Sequence, residues 1–170
     1  MPHRTKPILI FTWGNPSRGD DAIGSLIYEL LQQEAPADVE VITDFQLQIE
    51  HATDLENRDY VLFIDAGIST GEPYEFYRLE AAHDDTYTTH AISPAAVLEV
   101  YRRIYGREPP PAFMLTIRGY VFGLGLPLSE KANDNLGNAM ELIRTLLSGS
   151  ARNRESWINA ADQVSQSSSG

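Results

Sequence analysis

The chain has 170 residues, of which 24 are acidic and 13 basic, for a formal net charge of −11, and it contains no cysteine. That balance disfavours nucleic-acid binding, because neutralising phosphates takes clustered Lys and Arg, and it suits a cationic peptide or a metal ion as partner. The missing cysteines exclude structural disulfides, thiolate metal ligands and a Cys nucleophile; no apolar run approaches the ~20 residues of a membrane span and no signal peptide is convincing, so a cytoplasmic location without membrane contact is expected.

In chain order, residues 7–13 are mostly apolar and predict a strand buried on both faces, as parallel strands are. Residues 14–24 form a loop that runs into a helix over 20–34, with Ile23, Leu26, Ile27, Leu30 and Leu31 on one face. A turn at Pro36 leads to a second strand over 39–43. Residues 44–51 read as a loop entering a short helix that runs through about Asn57. The third strand, 60–64, is the most apolar and is followed by Asp65-Ala66-Gly67. This alternation implies right-handed crossovers and a parallel sheet. Residues 75–79 make a short aromatic strand, expected antiparallel or at an edge.

After a polar loop over 81–89, Ser93 as cap and Pro94 at the first position start a helix. Its expected buried face is Val97, Leu98, Tyr101, Ile104 and Tyr105. A fifth strand is predicted over 112–117, then a Gly-rich loop over 118–126. The next helix buries Leu136, Met140, Ile143 and Leu147. The expected architecture is a three-layer α/β sandwich over 1–147, with helices on both faces of a mostly parallel sheet of about five strands. Residues 148–170 are serine-rich and predict a disordered tail, in which Trp157 and Ile158 could dock transiently.

The opening loop reads Gly14-Asn15-Pro16-Ser17-Arg18-Gly19-Asp20-Asp21-Ala22-Ile23-Gly24. Glycines between a strand and a helix suggest a phosphate cradle. The spacing fits neither of the usual phosphate-loop patterns, and Asp20 and Asp21 at the helix start would repel a phosphate and attract a cation. A plainer reading makes one of them a helix cap and the other a first-turn acid.

Further acids follow the second and third strands, at Asp44 and Asp65. Neighbouring parallel strands bring their carboxyl ends to one edge, where ligands of open α/β sheets bind. Among the histidines, His3 lies in the terminus, His83 in the polar loop and His51 beside Glu50 on the short helix. His90 precedes the Ser93 cap, where the chain returns to the sheet edge, and is the best candidate. Two carboxylates and an imidazole make a three-ligand set with an open position, suited to Zn, Ni, Fe or Mn and to metal-assisted hydrolysis. A serine hydrolase is disfavoured, since there is no G-x-S-x-G elbow.

With Asp21, Asp65 and His90 in view, the chain resembles the hydrogenase maturation proteases. Residues 14–24 match that family's G-N-x-x-x-x-D-[ED]-x-x-G opening, Ile64-Asp65-Ala66 its acid after the third strand, and His90-Ala91-Ile92-Ser93 its histidine before a helix. The resemblance implies an aspartyl-type endopeptidase that trims the C-terminal extension from the large-subunit precursor of a nickel–iron hydrogenase. Asp21, Asp65 and His90 would be the catalytic and nickel-contacting residues. The nickel would arrive in the substrate, with no tightly bound resident metal. Asp21 stands where many relatives carry Glu, so Asp20 could share the role or orient the others. Residues 44–51 depart from the usual Gly-Gly-Thr turn and look like members serving cytoplasmic NAD-reducing hydrogenases, with Glu50 and His51 as candidate substrate-recognition groups. The alternative is a nickel-binding or nickel-checking chaperone that cleaves nothing. The plainest reading is an α/β binding module in which the acids only cap helices.

Overall fold

The computed structural model describes residues 5–83, 92–148 and 154–167. Five strands form one sheet: β1 (Ile8–Trp13), β2 (Val39–Asp44), β3 (Tyr60–Gly67), β4 (Tyr74–Leu79) and β5 (Ala112–Arg118), in spatial order β2-β1-β3-β5-β4. All neighbours are parallel except β4, which pairs antiparallel with β5 at the edge. The expected mixed sheet is therefore present.

Side-chain alternation along each strand builds two cores. Ile8, Ile10, Leu62, Ile64, Phe113 and Leu115 point to one face, where α1 (Ile23–Glu34) and α3 (Glu130–Leu147) lay down Ile27, Leu31, Leu136 and Met140. Leu9, Phe11, Val61, Phe63 and Met114 point to the other, under α2 (Pro94–Tyr105) and the 3₁₀ helix Ile49–Leu55. The helices cover both faces, as the sequence pattern required.

Ser93 caps α2 by accepting the Ala96 N–H, and Gly106 ends it in the left-handed region. Ile104, expected on the buried face, is instead 57% exposed. Val97, Leu98 and Tyr101 already fill the stripe that meets the sheet, and Ile104 lies at its flank in the last turn.

The serine-rich end departs further from expectation. Arg154–Ser167 forms a helix, α4, and Trp157 is 0% exposed. Its indole N–H donates to the Leu146 carbonyl at 3.0 Å, and its ring packs on Tyr60 and Phe113 with centroids 5.5 and 5.3 Å away. Serine content argues against a core of the segment's own, but one buried indole with its N–H satisfied supplies the anchoring area that composition averages away. Among the described residues, no helix is long and apolar enough to cross a membrane.

Candidate active site

Because β1 lies between β2 and β3, the chain leaves β1 toward one side of the sheet and later returns to the other. The carboxyl ends of β1 and β3 thus flank a topological switch point, where open α/β sheets bind ligands. The loop after β1 carries Asp21, and β3 carries Asp65.

The loop is shaped by close approaches. Gly14 has φ +138°, and a Cβ there would lie 2.2 Å from the Asp21 carbonyl oxygen. A Cβ at Gly24 would lie 2.2 Å from the carbonyl oxygen of Trp13. Only glycine lets the strand end and the start of α1 touch in this way. The helix does not begin at Asp20 as predicted. A 3₁₀ turn over Gly19–Ala22 precedes α1, and no side chain caps either element.

The two adjacent aspartates part company here. Asp20 is 0% exposed. Its carboxylate accepts hydrogen bonds from the N–H groups of Tyr120 (2.7 Å), Val121 (3.0 Å) and Ser129 (2.8 Å), and from the Ser129 hydroxyl (2.9 Å). Burial alone would raise its pKa, but the bonds from Ser129, Val121 and Tyr120 together bring it below the ordinary value. Ser129 in turn accepts the Ala132 N–H and so caps α3. Asp20 is thereby a clasp between the opening loop and the start of α3, neither a cap of α1 nor an open ligand.

Asp21 accepts the Asn15 N–H at 2.7 Å and borders Gly14. Its charge acts on Asp65. The strand β3 runs past Ile64 through Gly67, so Asp65 lies within the strand, opposite Thr116 of β5. Asp65 is raised to about 7: desolvation contributes most, the Ala66 N–H pulls it back, the neighbouring charge of Asp21 raises it further, and the Trp13 indole opposes. The Ala66 bond measures 2.8 Å. Beside it, the buried Thr116 hydroxyl oxygen has no hydrogen-bond partner among the described residues. Strand parity puts Trp13, Asp65 and Thr116 on the same side of the sheet as α2.

Asp44 and His51 form a separate pair. The His51 Nδ1 accepts the Gln48 N–H at 2.8 Å, so Nε2 carries the proton that faces the Asp44 carboxylate at 3.3 Å. The ring packs edge-on against Phe11, with centroids 4.4 Å apart. His51 thus holds the 3₁₀ helix on β2, while Glu50 is exposed. His83 is exposed, 3.3 Å from the Arg103 guanidinium. His3 and His90 lie outside the described residues. Ile92, two positions after His90, packs on the α2-side core and donates its N–H to the Leu47 carbonyl.

Among the described residues, no group of three or more His, Asp or Glu is gathered to hold a metal ion. Asp21 and Asp65 act on one another through their charges at this edge. A desolvated carboxyl beside a like charge is suited to take a cation or a proton. Between the opening loop and the end of β2, Gly14, Pro16, Ser25, Thr43, Asp44 and Phe45 line a cavity of about 170 Å³, and Phe45 is 67% exposed at its rim.

No family model matches the sequence, and no curated protein matches it. Solved structures do. The hydrogenase maturating endopeptidase HybD from E. coli superposes with a TM-score of 0.62 at 26% identity, covering 80% of this chain and 88% of that one. The [NiFe] hydrogenase maturation protease HycI from Thermococcus kodakarensis KOD1 does so with a TM-score of 0.63 at 25% identity, covering 85% and 94%.

The fold is that of hydrogenase maturation endopeptidases. The carboxyl edge described above is therefore the place to look for peptide-bond chemistry. Position after strands pointed to Asp20, Asp21, Asp44 and Asp65, and the family resemblance singled out Asp21 and Asp65. Sequence reasoning missed Trp13 and Thr116, which read as ordinary strand residues until the register places them beside Asp65. It also missed the partner of Asp20, because nothing in the local sequence points across to Tyr120, Val121 and Ser129.

Proposed function

We propose that this protein is an endopeptidase of hydrogenase maturation, which removes the C-terminal extension of a nickel–iron hydrogenase large-subunit precursor after nickel insertion. The observation that carries this reading is the carboxylate pair, Asp21 and Asp65, at the switch point of a sheet whose structural relatives are maturation endopeptidases. Asp21, Asp65 and His90 contact the nickel that the precursor delivers, so that cutting follows insertion. Asp20 serves indirectly by fixing the turn on which Asp21 stands.

The chemistry of the donor set supports a cation as cargo. Two carboxylates held together repel one another, and a divalent ion relieves that repulsion using oxygen and imidazole ligands of the kind nickel accepts. The form of residues 44–51 supports the subgroup that serves cytoplasmic NAD-reducing hydrogenases.

The test is incubation with nickel-loaded and nickel-free precursor, read by mass spectrometry. Loss of a C-terminal peptide from the loaded form alone is expected, and His90→Ala should abolish it. Equal trimming of both forms would overturn nickel-directed cutting. Unimpaired trimming by the variant would remove His90 from the site.

A further inference from the structure

Thr116 carries a hydroxyl to which the fold gives no task. Its oxygen is buried and has no hydrogen-bond partner among the described residues. A buried hydroxyl left in that state is costly and uncommon, and this one stands level with Asp65 on the neighbouring strand. Resting on the endopeptidase reading, we propose that Thr116 is a positioning residue for Asp65: its hydroxyl turns onto the Asp65 carboxylate when that group engages the substrate, and holds it in place through the cut.

The register brings the two side chains within reach. Neighbouring strands lie about 4.8 Å apart, and Asp65 and Thr116 share the face of the sheet that α2 covers. Turning the threonine χ1 from one staggered well to another carries the hydroxyl across that gap. Asp65 has capacity for the bond. It takes the Ala66 N–H at 2.8 Å and, from β1, the Trp13 indole, whereas an ionised carboxylate offers about four acceptor sites. Trp13 thus serves Asp65 from one side, and Thr116 stands ready on the other.

The rival acceptor is Glu75, which faces Thr116 from β4. Its longer side chain reaches toward the turn before that strand, where a Cβ at Gly71 would meet the Glu75 Oε1 at 3.6 Å. The shorter Asp65 stays over the sheet beside Thr116.

An unmade bond suits a part in the reaction better than a part in folding. A bond formed only as the substrate reacts lowers the barrier without tightening binding, so its loss lowers kcat and leaves KM alone. In the folded protein at rest the idle hydroxyl contributes no bond, and its burial is unfavourable.

The test is trimming of nickel-loaded precursor by wild type, Thr116→Val, Thr116→Ser and Glu75→Ala, with kcat and KM measured separately and each variant unfolded in denaturant. Valine keeps the shape of threonine and removes the hydroxyl. Thr116→Val should lose about 10–100-fold in kcat, the usual effect of removing the hydrogen-bond partner of a metal-contacting group, at the wild-type KM. It should nevertheless unfold at the same or a higher denaturant concentration. Thr116→Ser, which retains the hydroxyl, should keep most of the rate, and Glu75→Ala should leave it unchanged. An undiminished kcat in Thr116→Val would overturn the role. So would a loss confined to KM, which would mean that the hydroxyl binds substrate directly. A Thr116→Val less stable than wild type, or an equal loss of rate in Glu75→Ala, would overturn it too, by making the bond structural or Glu75 its partner. No trimming by wild type would overturn the endopeptidase reading itself, whereas any of the other adverse results beside normal wild-type trimming overturns the role of Thr116 alone.

Discussion

Asp20 and Asp65 are two sheltered carboxyls at the same edge of the same sheet, and their surroundings push them in opposite directions. Asp20 receives four hydrogen bonds and is held below the ordinary carboxylate range. Asp65 has the Ala66 N–H and the Trp13 indole, with a second carboxylate for a neighbour, and rises to about 7. Burial is common to both. What differs is whether the fold supplies enough donors to replace water. A carboxylate fully matched by donors is committed to holding structure together. One left short of donors, beside a like charge, is poised to take a proton or a cation.

The contrast breaks most severely at Asp20. Asp20→Ala orphans the N–H groups of Tyr120, Val121 and Ser129, and chemical denaturation should show a loss of about 3–5 kcal/mol. The sign with pH follows from the lowered value. Asp20 contributes stability above the unfolded carboxylate pKa and loses it as pH falls, so the gap between variant and wild type should narrow below about pH 4.

Asp65 should behave in the opposite sense. Its folded value of about 7 lies above the unfolded one, so the native state binds the extra proton and stability drains away as pH rises from about 4 to about 7. Asp65→Asn should therefore match wild type near pH 4 and exceed it at pH 8, by on the order of 2–4 kcal/mol. It should also lose trimming of the precursor, so that activity falls while stability rises. A variant less stable than wild type at pH 8 would contradict the assignment.

The smallest effect sharpens the cause. Asp21→Asn removes the neighbouring charge, and carboxyl titration by NMR should show the Asp65 value moving down. It should stay well above the ordinary carboxylate range, because desolvation is the larger cause. A return to the ordinary range would mean that the pairing, not the burial, sets the value.

Much of this protein was legible in its residues. Apolar runs of strand length alternating with 3.6-residue periodicity are local signals, and they specified a mostly parallel sheet with helices on both faces. The order of Gly14, Asp21, Gly24 and Asp65 marked the carboxyl edge of the sheet for the same reason: strand ends and helix starts are written in neighbouring residues. The serine-rich end shows the limit. Composition described the segment, but the burial of Trp157 depends on Tyr60 and Phe113, far away in sequence.

Which aspartate does which job was decided by tertiary structure alone. Asp20 and Asp21 are chemically identical and adjacent, so no local rule can separate them. The difference arises because loop 119–128 and Ser129 fold back across the opening turn and spend their donors on Asp20, leaving Asp21 to Asn15 and to Asp65. The sequence by itself determined that a pair of acids would stand at this edge. The long-range hydrogen bonds determined which of them holds the edge together, and on the proposed function the other faces the chemistry.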